Sequence, residues 1–125
     1  GLKENSRLEL EYAANLDAPS AHLAAISLAS KEIYEERNPE KALRTLEKLP
    51  PSSNYASEKY RLLGDMYKFQ SNYPLAITNY ENSIQICGAN RKARISLGKL
   101  YSQLQINDLA ELQSQELFKI STILE

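Results

Sequence analysis

The sequence has 125 residues, 42% of them apolar and 25% charged, enough for one domain with a real core. Its net charge of −1 speaks against a dedicated nucleic-acid binder or a membrane-surface protein. The lone cysteine, Cys87, excludes an internal disulfide and fits a reducing, cytoplasmic setting, as does the lack of any Asn-x-Ser/Thr sequon. Leu, Ala, Glu, Lys, Ser and Ile dominate and alternating β patterns are absent, which predicts an all-α chain. The longest apolar runs, such as HLAAISLA at 22–29, are too short to span a bilayer. The chain starts Gly-Leu-Lys without Met, so a piece of a larger protein is expected.

In chain order, residues 4–17, ENSRLELEYAANLD, read as a first helix closed by Pro19-Ser20. Asn38-Pro39-Glu40 supplies an N-cap followed by proline at the first helical position. Pro50-Pro51 ends that helix after Leu49, since neither ring can continue it, and PPSSNY at 50–55 reads as a longer loop. YRLLGDMYKFQSNYPLAITNY, 60–80, is helical in pattern yet carries Gly64 in its middle. An interior glycine costs a helix about 1 kcal/mol against alanine, so something should offset it. SNYP at 71–74 makes the turn, with Pro74 opening the next helix. RISLGKLYSQLQINDLA repeats the puzzle at Gly98. Asn107-Asp108 then caps a last helix running to Glu125, with Leu117, Phe118, Ile120 and Leu124 available for packing.

Self-similarity orders these elements. Gly64 and Gly98 are 34 residues apart, and the same spacing relates Leu63 to Leu97, Tyr67 to Tyr101 and Ala76 to Ala110. One step back lie Ala29, Ser30, Ile33 and Ala42, all small or apolar. Ala42, Ala76 and Ala110 thus form a series of three at one period.

This pattern resembles the tetratricopeptide repeat family, which places Leu-Gly, Tyr, Ala, an aromatic and a small residue at fixed steps in 34 residues. The middle repeat matches at Tyr60, Leu63, Gly64, Tyr67, Ala76, Tyr80 and Ser83, with Gly88 where proline is usual. The third keeps Leu97, Gly98, Tyr101 and Ala110 but has Arg94 and Ser114 at the two bulky positions. The first carries Ile26, Ala29, Ser30, Ile33, Ala42, Leu46 and Leu49. The resemblance implies a single domain over 1–125, with an N-terminal helix within 1–22 and repeats at 23–56, 57–90 and 91–125. Leu8 and Tyr12 lie one period before Ala42 and Leu46, so residues 4–17 fit either the second helix of a truncated repeat or a non-repeat capping helix. Each full repeat is expected to form two antiparallel helices, A and B, stacked into a right-handed superhelical solenoid. The packing signature is Ser30, Ala42, Gly64, Tyr67, Ala76, Gly98, Tyr101 and Ala110. Within it the glycine of A is expected to face the alanine of B, where a larger residue would overpack the crossing by about 1–3 kcal/mol.

Chemistry is sparse by comparison. His22 is the only histidine, which excludes a His/Cys metal cluster. A full repeat separates it from Cys87, so the two read as a surface imidazole and a semi-buried thiol, not a nucleophile pair. Each glycine stands alone among helical residues, so no phosphate-cradling loop exists. Glu35-Glu36 reads as a solvated helix face. Tyr60, Tyr67, Tyr80 and Tyr101 fall at packing positions, which favours a core over nucleic-acid stacking. The expectation is no enzyme and no catalytic, cofactor or metal residue.

The resemblance implies a concave groove lined by A helices. Its expected lining includes Lys31, Tyr34, Arg61, Asp65, Lys68, Phe69, Lys92 and Lys99. Such a mixture suits a peptide segment of a protein partner with some acidic character, within an adaptor or co-chaperone. A chaperone tail is one such partner. The family's dicarboxylate clamp is matched outright only by Lys92, since Ser27, Lys31, Leu62 and Ser96 stand at its other positions. The alternative is a structural segment of a longer solenoid or a self-associating scaffold, and the oligomeric state is left open. No membrane insertion is expected.

Overall fold

A computed structural model describes Leu8 and residues 19–124. The helix expected over 4–17 and its two readings lie outside the described residues, save Leu8, which is helical and exposed. Six helices follow: α1 Pro19–Tyr34, α2 Pro39–Glu47, α3 Ala56–Phe69, α4 Tyr73–Ile86, α5 Arg91–Gln103 and α6 Asn107–Leu124. No strand occurs among the described residues. The chain divides within α3 into two compact units, Gly1–Leu62 and Leu63–Glu125.

In the first unit α1 packs on α2. Pro19 opens α1, where its fixed φ suits the first turn, and the helix that Pro19-Ser20 is expected to close lies outside the described residues. The buried face of α1 is mostly alanine, Ala21, Ala24, Ala25 and Ala29, with Leu28 and Ile33. Ala42, Leu46 and Leu49 are buried as well. Asn38 caps α2 with its side chain, accepting from the Lys41 amide at 3.2 Å, ahead of Pro39. The helix stops at Glu47, two residues before the expected end. Its last turn tightens there, the Lys48 and Leu49 amides donating to Thr45 and Leu46 carbonyls at 3.3 and 3.1 Å. The 50–55 loop is tied down at Ser53, whose hydroxyl lies 3.1 Å from His22 Nδ1 and accepts from the Tyr55 amide at 3.1 Å. His22 is therefore half-buried and engaged, not a bare surface imidazole.

In the second unit α4 packs on α5 and α5 on α6. Ala76, Tyr80, Leu97, Leu100 and Tyr101 form the core, with Tyr67, Tyr73, Ile77, Ile84, Leu104 and Ala110 against it. Asn72 caps α4, which starts at Tyr73, one residue before the Pro74 start expected from SNYP. Asn90 caps α5, accepting from Ala93 at 3.1 Å and donating to the Ser83 hydroxyl at 3.2 Å. Asn107 and Asp108 lie in the first turn of α6 and Ile106 stands at its head, so the expected cap is displaced by one residue. Cys87 is exposed at the C-cap of α4, which corrects the semi-buried thiol. The Leu124 side chain and Glu125 lie outside the described residues.

The period recurs in the backbone. Arg37, Ser71 and Gln105 are the described non-glycine residues with positive φ, at 54°, 58° and 62°, and they stand 34 apart. Each follows an A helix and turns the chain into the next. The Asn72 and Ile106 amides reach back to the Tyr67 and Tyr101 carbonyls at 2.9 and 2.8 Å, closing the helix ends in the Schellman manner. A short left-handed turn of this kind reverses the chain, so consecutive helices pack as antiparallel pairs.

Candidate functional site

The expected groove residues divide between the units. In the first, Lys31 and Tyr34 sit on the last turns of α1, the lysine half-buried and the tyrosine exposed. Arg61 on α3 is held by Glu58, its Nε and Nη2 donating to one carboxylate oxygen at 3.1 and 2.8 Å. In the second unit Lys68 is half-buried and Phe69 is 48% exposed, both at the end of α3. Lys92 and Lys99 are exposed on α5. Asp65 differs from them: it is only 8% exposed and its carboxylate accepts the Tyr80 hydroxyl of α4. It holds a helix pair together.

The glycines also part ways. A Cβ built on Gly64 would come within 2.5 Å of Tyr80 Cδ1 and Cε1, so the tyrosine ring, not Ala76, lies against the bare backbone. Ala76 is fully buried nearby in sequence, in the core cluster. At Gly98 the nearest atoms are Gln113 Cβ at 3.4 Å and the Ala110 carbonyl at 4.0 Å, an ordinary packing distance. Ser114 stands at Tyr80's place one period on and leaves that flank open.

What opens there is a cleft of about 340 Å³ between α5 and α6, lined on its apolar side by Ile95, Gly98, Ala110 and Leu117. Arg94 and Lys99 border it, and no carboxylate lines it. Helix α5 carries Arg91, Lys92, Arg94 and Lys99 and no acid. Arg94 donates to the Gly88 carbonyl at 2.7 Å and to Gln113 Oε1 at 3.0 Å, and Arg91 to the Ser121 hydroxyl at 3.0 Å. Those acceptors are neutral, so the charges of Arg91 and Arg94 are held in place without being cancelled by them.

Three features went unread in the sequence. Glu32 is buried on α1 and accepts from Thr45 Oγ1 on α2 at 2.6 Å, at the place where Met66 and Leu100 stand in the later repeats. Tyr101 donates to Glu81 Oε1 at 2.9 Å, and burial, with the Glu81 hydrogen bond and charge behind it, pushes its phenol up to about 12. The cleft itself was signalled by Ser114 in an aromatic position, a signal visible in the repeat alignment. Among the described residues no cluster of three metal-ligating side chains occurs, and no helix is long and apolar enough to cross a membrane.

No protein-family model and no curated protein matches the chain. Among solved structures it is similar to the crystal structure of MamA, with a TM-score of 0.67 at 22% identity over 81% of this chain. The chain spans 58% of the MamA chain. At that identity the likeness establishes the fold alone: an all-helical array of packed helix pairs of the tetratricopeptide-like kind.

Proposed function

We propose that the chain is a non-enzymatic protein-interaction module that binds an acidic peptide segment of a partner through its A helices. The observation that carries this reading is α5, with four cations, no acid and neutral acceptors for its arginines. Lys31, Tyr34, Lys68, Phe69, Lys92 and Lys99 would contribute contacts, and Arg61 would do so only by leaving Glu58. Asp65, held by Tyr80, is left out of the contact set. An extended acidic tail, such as that of a chaperone, has the chemistry such a surface selects, which would make the parent protein a cytoplasmic adaptor or co-chaperone. Tetratricopeptide-like helix pairs support the reading as a general scaffold for protein contacts.

Titrating acidic tail peptides against the wild type and a Lys31→Glu, Lys68→Glu, Lys92→Glu triple variant tests the proposal. Affinity should fall with added salt and drop at least about tenfold in the variant, since each cation near a peptide acid contributes up to about 1 kcal/mol. Equal affinities would remove the A helices from the interaction.

A second reading, a self-associating scaffold, is favoured by one other observation. Helix α6 and its head expose Ile106, Leu109 and Leu112 at three-residue steps along one side and, on another face, Phe118, which is 74% exposed. Light scattering separates the two, because a monomer at high concentration would dismiss self-association.

A further inference from the structure

Gly64 and Gly98 hold the same place in successive repeats, yet only one of them has its missing side chain replaced. Beside Gly64 the buried Tyr80 ring fills the gap and its hydroxyl reaches Asp65. One period on, the ring is exchanged for Ser114 and the acid for Lys99. Gly98 therefore bears the helix penalty of glycine with no aromatic ring against it, and it opens onto the α5–α6 cleft. A dry cavity of about 150 Å³ already holds benzene, and this cleft measures about 340 Å³.

We propose that this cleft receives an aromatic side chain of a partner polypeptide, seated on Gly98 as Tyr80 is on Gly64, with a carboxylate of the same segment on Lys99. The inference deepens the reading of the chain as a protein-interaction module and rests on it. Chemistry specifies the occupant from two sides. The flat Gly98 backbone with Ile95, Ala110 and Leu117 offers apolar surface to a ring. The exchange of Asp65 for Lys99 reverses the charge at the ring's edge, so an anion replaces the hydroxyl donor that Asp65 selects. Arg94 adds a second cation and no acid opposes either. A polypeptide fits better than a nucleic acid, because a chain of net charge −1 lacks the extended basic surface a polyanion needs.

The test uses the isotope-labelled full chain and two capped peptides, Glu-Glu-Tyr-Glu-Glu and its alanine counterpart, followed by amide chemical shifts. Shifts are expected at Gly98, Ile95 and Ser102, with the alanine peptide about tenfold weaker or worse, as loss of a seated ring implies. Ser114→Tyr supplies the ring from within and should abolish binding while the Tm holds or rises. Lys99→Glu, an exposed change that leaves the core alone, should weaken binding about threefold to fivefold. Equal affinity for the two peptides, shifts mapping elsewhere, or binding that survives Ser114→Tyr would overturn the assignment. Displacement of the peptide by a thymidine oligonucleotide at comparable affinity would also overturn it. An acidic tail that binds through Lys31, Lys68 and Lys92 and ignores both Ser114→Tyr and Lys99→Glu would leave the module reading intact and remove the cleft from it.

Discussion

The Tyr80 ring of α4 lies on the bare backbone of Gly64 in α3, so close that no side chain can be added there without displacing it. Tyr80 is fully buried and cannot swing away. Gly64→Ala should therefore destabilise the protein by about 1–3 kcal/mol through overpacking, despite the better helix propensity of alanine. Gly98→Ala meets only ordinary contacts and should be neutral or stabilising by up to about 1 kcal/mol. Urea unfolding checks the pair: the midpoint should fall for Gly64→Ala and hold or rise for Gly98→Ala.

Helix α6 starts without the cap its counterparts have. Asn38 and Asn72 accept from the Lys41 and Leu75 amides, while Ile106 stands one period after Asn72, 39% exposed. Its carbonyl already accepts the Ala110 amide, as an N-cap residue's does. Ile106→Asn should stabilise the protein by about 1 kcal/mol, seen as a higher urea midpoint with unchanged slope.

Tyr101 links the core to the surface carboxylate of Glu81. Its phenol is pushed up to about 12 against an ordinary 10, chiefly by burial and then by Glu81. The native state thus holds this proton more tightly than the unfolded chain does. The resulting stabilisation is complete below pH 10 and is lost as pH rises from 10 through about 12. Stability of the wild type should fall over that window more steeply than that of Tyr101→Phe, measured by thermal unfolding at successive pH values. In parallel, the phenolate absorbance that appears at the high end of that window should be smaller in Tyr101→Phe.

Much of the fold was legible because its determinants are local or periodic. Asn38-Pro39 announces a helix start by side-chain chemistry that acts within three residues, and SNYP at 71–74 announces the turn before another. The 34-residue step reappears as three left-handed turn residues, Arg37, Ser71 and Gln105, none of which is the glycine or asparagine that would have betrayed the turn. Glu32 was hidden for a different reason. A carboxylate in an apolar register looks like a surface residue until Thr45 is brought across from α2 to satisfy it.

Sequence alone determined the helix pairs, their period and the basic character of α5, since spacing, caps and charge are properties of the chain itself. Only the tertiary structure decided what lies opposite each small residue. Gly64 is covered by Tyr80 and Gly98 is left open, Asp65 is drawn inward and Lys99 stays in solvent. A glycine records that two surfaces come close but not which atoms arrive, and that is set by how one helix lies on the next.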